Sequence, residues 1–438
     1  DRLTRWNSWT DGESPDGKCT RDTQRRTGCR APDEPGVAVS LPSAPEGEDR
    51  MTSFTPVQTA AMRRALRAAA SPDAPPGPNP RVGCVILSAD GDVLAEGHHR
   101  GAGTAHAEVD ALANLAAAGA SAQGATAVVT LEPCNHEGRT GPCVQALLAA
   151  GVAEVIYAQD DPTEQAGGGA ATLEAAGVRV RRGLCSQDAA RLNRPWLLAV
   201  TRGRPMVTWK LAATLDGRIA ADDGTSQWIT PTAARRDAHH LRRQCDAIMV
   251  GTGTALADDP ALTVRDETGE PAPAHLQPLR VVVGSRRLPP ASRVFADDHY
   301  LLLPDHDPRT VLAVLAEREI RHVLLEGGPT LATAFLRAGV VDEVVAYTAP
   351  ALLGAGPAAI ADFGATTITD ALRLRHPRVE VLGADDGLAI RLSGDLGADD
   401  ADLDAPSGPR PQHTQHSQRP DHRDRTHPPI HRRTEESH

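Results

Sequence analysis

Apolar residues in this chain fall into short runs whose spacing changes repeatedly between that of a helix and that of a strand. The first regular stretch is an amphipathic helix predicted to open at Met51. Its apolar positions recur at helical spacing and are expected to face a core: Val57, Ala60, Met62, Ala65 and Ala69. A loop then leads into a buried strand ending at Leu87, and the turn at 89–92 returns the chain as a second strand. The folded part of the chain is therefore predicted to begin near Met51.

Helices and strands continue to alternate through the middle of the chain. The predicted elements follow in this order: a helix from His106, a strand over 126–130, a helix from Pro142, a strand over 154–158 and a helix from 167–169. This alternation is typical of a mostly parallel sheet with helices on both faces.

The two ends of the chain differ from the part between them. Residues 1–50 are rich in Arg, Asp, Gly, Pro and Ser without sustained periodicity, and the chain becomes polar again after Leu392. Segments of this kind cannot bury enough apolar surface to fold. We expect a disordered extension over 1–50, or a stretch ahead of the true start of translation, and a disordered tail over 396–438. Between them we expect two domains, at 51–200 and 205–395.

Composition narrows the class of protein. The 438 residues are 40% hydrophobic and 24% charged, which is typical of a soluble globular protein. No apolar run approaches the roughly 18 residues of a membrane span, and no secretory leader opens the chain. Seven cysteines do not suggest a disulfide framework, so a cytoplasmic protein without a membrane partner is predicted. A net charge of −11 with 3% aromatic residues argues against a nucleic-acid partner.

Two short motifs predict one metal site. The first contains His106 and Glu108, and the second runs from Leu131 to Cys143 with Cys134 near its start. One imidazole and two thiolates suit zinc, and a catalytic zinc site leaves the fourth position to water. A structural zinc knot with a further ligand, or reduced cysteines that bind nothing, are disfavoured alternatives, because His-x-Glu falls at a predicted helix start and Pro-Cys at a strand end. His106, Cys134 and Cys143 are therefore the predicted zinc ligands.

Glu108 indicates which kind of reaction the predicted zinc site would catalyse. Zinc lowers the pKa of the water it binds from about 15.7 towards 7, so a nearby carboxylate can take the proton at neutral pH. His-x-Glu followed by Pro-Cys and a later Cys is the signature of zinc deaminases that act on nucleobase-like rings. Eight residues separate Cys134 from Cys143, whereas the nucleic-acid members have Cys-x-x-Cys. The longer loop favours a ring that is not part of tRNA or DNA.

The second half carries weaker chemical signals. A second domain is predicted to start near Pro205, after a helix over 189–199, and to include strands over 281–284 and 322–325. The last of these runs into Glu326 and a glycine pair before a helix. Backbone amides at such a helix start can approach a phosphate, although the same turn often serves packing alone. No Gly-x-Gly-x-x-Gly follows a strand, so a Rossmann dehydrogenase is not predicted.

Motifs in both halves together resemble one known family. They are Pro78-Asn79-Pro80-Arg81-Val82-Gly83-Cys84, His106-Ala107-Glu108, the loop 131–143, and the stretches 210–218, 226–230, 257–265 and 326–331. Over about residues 53–393 the chain is similar to the bifunctional riboflavin-biosynthesis deaminase–reductases, and neither tail is covered. The resemblance implies an α/β fold. It implies an N-terminal cytidine-deaminase-like α/β/α domain and a C-terminal dihydrofolate-reductase-like α/β domain.

The resemblance also implies roles by position. Glu108 would shuttle protons beside Zn²⁺, and Asn79 would approach the deaminase substrate. Contacts to the second cofactor, NADPH, are implied at Ala212, Trp228, Thr254, Asp258, Ser285, Gly328, Pro329, Thr330, Leu331, Ala332, Thr333 and Ala334. Substrate contacts are implied at Ser226, Arg242, Leu262, Arg265 and Glu326. Taken alone, Arg242 and Arg265 would be interpreted as solvated surface charge. Within the family pattern, their guanidinium groups suit the binding of a ribosyl phosphate.

The implied function has two steps on a small-molecule substrate. The first domain would hydrolytically deaminate 2,5-diamino-6-(5-phosphoribosylamino)pyrimidin-4-one, and the second would reduce the ribosyl group of the product to ribityl with NADPH. The alternatives are a nucleic-acid base deaminase, or a deaminase whose second domain only binds ligand or assembles the oligomer. A homo-oligomer is expected. Ser285, Arg286 and Arg287 leave a predicted strand where a 2′-phosphate would bind, which predicts a preference for NADPH over NADH.

Overall fold

The computed structural model describes residues 53–396, except positions 73, 76, 137–140, 267, 385 and 386. Within this part the strands form two sheets, one of five strands and one of eight. Disorder was expected over 1–50 and beyond 396, and both segments lie outside the described residues, as does the predicted helix start at Met51.

The five-stranded sheet has the strand order β2-β1-β3-β4-β5. Its elements and the helix that follows it are α1 (Pro56–Ala69), β1 (Gly83–Leu87), β2 (Val93–His98), α2 (Ala107–Ala117), β3 (Thr126–Val129), α3 (Cys143–Ala149), β4 (Glu154–Tyr157), α4 (Gly169–Ala175), β5 (Arg179–Arg182) and α5 (Ser186–Arg202). Strands β3, β4 and β5 are parallel, whereas β1 is antiparallel to both β2 and β3. Only β1 therefore runs opposite to the other four strands, so the sheet is mostly parallel in strand direction, as expected.

Both faces of this sheet are buried. Ile86, Ala127 and Val129 point into one apolar cluster with Tyr157, while alternate residues such as Val128 point into another. Burial on both faces explains why these strands consist of continuous apolar runs.

The first helix begins later than the sequence analysis predicted, and three of the five positions predicted to face the core are buried. Thr55 caps it by accepting a hydrogen bond from the backbone N–H of Gln58, and Pro56 occupies its first turn. Val57 is 47% exposed, and Ala60 is exposed as well, although both were predicted to face the core. The buried positions are Ala61, Met62, Ala65 and Ala69. A capping box therefore set the start of this helix.

The eight-stranded sheet has the order β12-β13-β11-β6-β10-β7-β8-β9. Its elements are β6 (Met206–Thr214), α6 (Thr232–Arg243), β7 (Ala247–Gly251), α7 (Thr252–Asp258), β8 (Leu279–Val283), β9 (Tyr300–Leu303), α8 (Pro308–Glu317), β10 (His322–Leu325), α9 (Pro329–Arg337), β11 (Glu343–Ala349), β12 (Arg375–Ala384) and β13 (Gly387–Asp395). The strands from β11 to β9 are parallel, and the hairpin β12–β13 adds an antiparallel edge. Short 3-10 helices lie at Ala274–Leu276, Arg293–Phe295 and Ile368–Asp370.

The two halves of the chain meet at a buried carboxylate. Asp342, which precedes β11, accepts hydrogen bonds from the side chains of Arg202 and Arg204 at 2.7 to 2.8 Å. It also accepts from the backbone N–H of Val207 at 2.8 Å. Because the arginines lie where α5 passes into β6, this network anchors the connection between the sheets.

Two candidate active sites

The three predicted zinc ligands converge at the ends of three elements. His106 caps α2 in an extended conformation, Cys134 follows β3, and Cys143 is the first residue of α3. His106 Nδ1 lies 3.2 Å from Cys143 Sγ and 3.4 Å from Cys134 Sγ. The ligand atoms of the group all lie within 4.8 Å of one another. Motifs separated by many residues in sequence thus form one compact cluster.

The geometry and chemistry of this cluster fit zinc. Tetrahedral zinc with bond lengths of about 2.0 to 2.3 Å separates its ligand atoms by roughly 3.5 Å, close to the observed spacing. A hydrogen bond from the Cys143 thiol lowers the pKa of Cys134 to about 4 and raises that of Cys143, so one thiolate is already stabilised. Within the described residues no fourth His, Cys or carboxylate joins the group. A set of one histidine and two cysteines is compatible with a zinc ion whose fourth position is taken by water.

Glu108 is buried beside this cluster, with 3% of its surface exposed. Burial raises the pKa of its carboxyl group. Residues two apart on a helix normally point in different directions. Here His106 precedes the helix with φ −70° and ψ 160°, so only Glu108 follows helical geometry and both can border one cavity.

A cavity of about 240 Å³ opens onto the cluster. It is lined by Asn79 and His99, whose polar side chains can form hydrogen bonds near a substrate ring. His99 Nδ1 lies 3.0 Å from the Ala105 carbonyl oxygen, and its Nε2 lies 2.9 Å from Asn79 Nδ2. Burial lowers the pKa of His99, which favours the neutral ring. Neutral His99 then donates from Nδ1 and accepts from the Asn79 amide at Nε2. This leaves the Asn79 side-chain oxygen as an acceptor for a ligand. The sequence analysis had named Asn79 but not His99.

A buried carboxylate that the sequence analysis missed holds the far wall of this cavity. Glu132 accepts hydrogen bonds from the backbone N–H groups of Asp161, Gly168 and Ala170 at 3.0 to 3.2 Å. It thereby fixes the loop between β4 and α4. Gly169 is required there, since a Cβ atom would lie 1.8 Å from the Pro133 carbonyl oxygen.

A second cavity, of about 570 Å³, lies at the carboxyl ends of β6, β7 and β10. This is the edge where parallel sheets commonly bind ligands, and the volume is typical of small-molecule sites. Many of the positions implied by the resemblance line it: Ala212, Ser226, Trp228, Arg242, Thr254, Asp258, Leu262, Arg265, Glu326, Gly328 and Pro329.

The other implied positions do not line this cavity. Ser285 is exposed just beyond β8, and Thr330 is exposed near the start of α9. Ala332 and Thr333 are 1% and 3% exposed. Leu331 and Ala334 are partly buried on the same helix. Any contact of these α9 residues with a cofactor would therefore involve the helix start and its backbone.

Arg242 and Glu326 form a salt bridge in this cavity. Arg242 donates two parallel hydrogen bonds to the Glu326 carboxylate, at 2.6 and 2.9 Å. Burial would raise the pKa of Glu326, but the attraction and hydrogen bonds of Arg242, with Lys210 nearby, lower it to about 2. Arg242 also donates to the Thr263 carbonyl oxygen at 3.0 Å. The carboxylate is thus fixed and charged at neutral pH.

Polar residues that line this cavity without having been singled out by the sequence analysis include Lys210, His239 and Tyr347. Burial lowers the pKa of Lys210. Tyr347 donates a hydrogen bond to Asp237 at 2.5 Å and lies under the Lys210 amine, with 5.9 Å between the nitrogen and the ring centre. Lys210 lies in the stretch 210–218, which is part of the family resemblance. His239 and Tyr347 belong to no motif that could have identified them from the sequence.

None of the helices in the described part of the chain is long and apolar enough to cross a membrane. The structure thus combines a zinc-type site beside one sheet with a large cavity at the edge of the other, the arrangement expected of an enzyme with two active sites. Family models agree: that of the cytidine and deoxycytidylate deaminase zinc-binding region matches residues 56–159, and that of the RibD C-terminal domain matches 205–386.

The chain belongs to the RibD family of riboflavin biosynthesis proteins. It is 52% identical to riboflavin biosynthesis protein RibD of Mycobacterium tuberculosis over 310 residues, covering 70% of this chain and 89% of the relative. It is 42% identical to the Escherichia coli protein over 357 residues, covering 74% and 96%.

Solved structures of the family have the same fold. The structure of Acinetobacter baumannii RibD is 36% identical and superposes with a TM-score of 0.70, covering 78% of this chain and 99% of that one. A Thermotoga maritima diaminohydroxyphosphoribosylaminopyrimidine deaminase/5-amino-6-(5-phosphoribosylamino)uracil reductase is 30% identical, with a TM-score of 0.68 and coverage of 77% and 99%. The α/β fold, the zinc and NADPH cofactors, and the deaminase and reductase activities implied by the resemblance are confirmed.

Proposed function

We propose that His106, Cys134 and Cys143 hold the zinc ion of this bifunctional enzyme and that Glu108 moves the proton in deamination. The observation that carries this proposal is the convergence of the three ligand atoms beside a buried carboxylate. A zinc ion held by these three residues would make its bound water acidic enough to lose a proton near neutral pH. Glu108 takes that proton and delivers it to the departing amino nitrogen.

Two further polar side chains of this cavity, Asn79 and His99, orient the substrate ring. The free side-chain oxygen of Asn79 accepts from a ring amino group, and neutral His99 keeps the Asn79 amide turned the right way. Such orientation lets the reacting carbon and the water meet in the required geometry.

The test is Glu108→Gln, with the exposed Glu174→Gln as the control. We expect Glu108→Gln to keep its zinc, as measured by metal analysis, and to release ammonia about 10²- to 10⁴-fold more slowly. Glu174→Gln should behave like the wild type. A zinc-loaded Glu108→Gln enzyme with near-normal turnover would refute the assigned role.

In the second half we propose that Ala212, Trp228, Thr254 and Asp258 contact NADPH, together with Ser285 and the segment 328–334. Support comes from the position of these residues at the carboxyl edge of the parallel strands. There the side chain of Arg286, next to Ser285, packs against Gly253 at the start of α7. Gly328 caps α9 and donates a hydrogen bond to Thr254 at 3.0 Å, which joins two of these segments. NADPH held by these residues would supply the hydride for the reduction.

We propose that Ser226, Arg242, Leu262, Arg265 and Glu326 bind the substrate of the reductase. The fixed Glu326 carboxylate can accept hydrogen bonds from sugar hydroxyls, and the arginines can neutralise the phosphate. Arg242→Lys should raise the KM of reduction, because lysine cannot reproduce the two parallel hydrogen bonds to Glu326. An unchanged KM would contradict this assignment.

We also propose that the chain forms a homo-oligomer through the outer face of β12 and β13. Strand β12 is an edge strand, and Val379, Val381, Leu388 and Ile390 are 44 to 66% exposed on one face of the hairpin. Apolar side chains grouped in this way favour a partner surface. Val381→Asp should lower the mass measured by analytical ultracentrifugation, whereas Val93→Asp, at a position 41% exposed on β2, should not.

Three broader assignments are proposals as well. The domain limits 51–200 and 205–395 agree with the extent of the two sheets. A cytoplasmic location suits Cys134 and Cys143, which must stay reduced to bind zinc. A small-molecule rather than a nucleic-acid substrate suits the net charge of −11.

A further inference from the structure

One residue of the reductase half lines the deaminase cavity. Arg321 immediately precedes β10, a strand in the middle of the eight-stranded sheet, yet it borders the cavity of Asn79 and His106. Its Nε donates a hydrogen bond to the Pro78 carbonyl oxygen at 3.3 Å. The deaminase cavity is therefore completed by a residue from the other catalytic half.

The backbone around Arg321 is fixed by a buried carboxylate. Asp246 accepts hydrogen bonds from the backbone N–H groups of Arg321 and His322, both at 2.8 Å. The same carboxylate packs against Gly77, where a Cβ atom would lie 2.5 Å from Asp246 Oδ1. Asp246 thus fixes the position of Arg321 relative to the Gly77–Pro80 loop.

Arg321 brings a positive charge to a cavity whose other described lining residues include three acids. Among the described residues that line the cavity, it is the only arginine or lysine, and the ionisable acids there are Glu108, Glu132 and Asp161. The Nε of Arg321 is used by Pro78, but its two terminal nitrogens have no hydrogen bond or ion pair to any described residue. They remain available to an anionic ligand.

The cavity volumes show where an anionic group would lie. The zinc-side cavity has about 240 Å³. That is below the roughly 300 to 1,000 Å³ of a typical small-molecule pocket, so a ribosyl phosphate attached to the ring must extend beyond it. An adjoining cavity of about 570 Å³ shares Thr163, Gln165, Val200 and Arg321 with the first. Arg321 therefore stands where the ring cavity opens into the larger one. Arg204, also in the larger cavity, is already paired with Asp342.

We propose that Arg321 binds the phosphate of the deaminase substrate and so makes the first reaction selective for the phosphorylated compound. The guanidinium fork supplies parallel hydrogen bonds to phosphate oxygens, which is the geometry that arginine favours. The inference rests on the deaminase activity of the family. It assigns to the reductase half a binding role in the first reaction.

The same strand reaches both sites. Arg321 precedes β10 at the deaminase cavity, and Glu326 follows it at the reductase cavity. Five residues of extended chain span roughly 17 Å. A variant at Arg321 is therefore tested with both activities, so that any disturbance of β10 is seen at Glu326.

The experiment compares deamination of the phosphorylated substrate with that of the same compound lacking phosphate. It uses the zinc-loaded, full-length wild type, Arg321→Ala, Arg321→Lys and the control Arg318→Ala, which alters an exposed arginine near the end of α8. We expect Arg321→Ala to lower kcat/KM for the phosphorylated compound about ten- to hundredfold and for the other compound less than about twofold. Arg321→Lys should lose less, because it keeps the charge. Arg318→Ala should match the wild type.

The ratio of the two kcat/KM values within each variant decides the question even if a variant is less stable. NADPH oxidation with the deaminated substrate should be unchanged in Arg321→Ala. Inorganic phosphate should inhibit wild-type deamination more strongly than that of Arg321→Ala. An equal loss on both compounds would show that Arg321 only supports the Pro78 loop, and no loss on either would also overturn the proposal. Deamination by the wild type, measured first, tests the family activity separately.

Discussion

The buried pair of Arg242 and Glu326 gives the reductase half a pH-dependent stability that can be worked out from the structure. Burial would raise the pKa of Glu326, but Arg242 lowers it from 4.5 to about 2. Because the folded-state pKa is the lower one, the ionised carboxylate stabilises the fold fully above pH 4.5. This contribution is lost as the pH falls from about 4.5 towards 2.

Glu326→Gln removes this contribution. At about 1.4 kcal/mol for each tenfold change in the ionisation constant, the charged carboxylate contributes about 3 kcal/mol to the free energy of unfolding at pH 7. At about pH 3.5 most of the wild-type carboxylate is protonated in the unfolded chain, whereas in the folded chain it is still ionised. The difference between the wild type and Glu326→Gln should then shrink to about 2 kcal/mol.

The assay is urea unfolding followed by tryptophan fluorescence, with Trp209 buried in the core of the same sheet as a reporter. Glu317→Gln, at an exposed position near the end of α8, is the control and should change the free energy of unfolding by less than about 0.5 kcal/mol at either pH. If Glu326→Gln were as stable as the wild type at pH 7, or if the difference did not change with pH, the reasoning about this pair would be wrong.

Three further predictions concern the two sites separately. Gly77→Ala should slow ammonia release but not NADPH oxidation with the deaminated product, because its Cβ would lie 2.5 Å from Asp246 Oδ1 and displace the loop that carries Asn79. Equal loss of both activities would count against this. Arg286→Ala should lower kcat/KM for NADPH about ten- to hundredfold and that for NADH little, and an unchanged preference would place the 2′-phosphate elsewhere. Stripping zinc with a chelator should abolish ammonia release but spare NADPH oxidation measured with the deaminated product, in protein that stays folded.

The sequence allowed accurate prediction where chemistry depends on short motifs. His106, Cys134 and Cys143 form the cluster that their residue types and spacing indicated. Strand β10 has the predicted bounds 322–325, because a run of apolar residues between polar neighbours fits a strand buried on both faces.

Contacts between distant segments could not be predicted in the same way. His99 acts on Asn79 across a hairpin, and Glu132 binds the amides of a loop that follows another strand. Neither has a spacing that a sequence pattern could reveal. Arg321 is the extreme case, since its contact with Pro78 joins residues 243 positions apart. The start of α1 was predicted wrongly because apolar spacing alone did not identify Thr55 as the cap.

The central claim is that one chain carries two separate catalytic sites used in sequence. The most direct test is NADPH oxidation by zinc-loaded Glu108→Gln, measured once with the diamino substrate and once with its deaminated product. With the diamino substrate the rate should fall about 10²- to 10⁴-fold relative to the wild type, because no product reaches the second site. With the deaminated product the rate should equal that of the wild type. Equal rates with the two compounds, whether both normal or both lost, would contradict the two-site account.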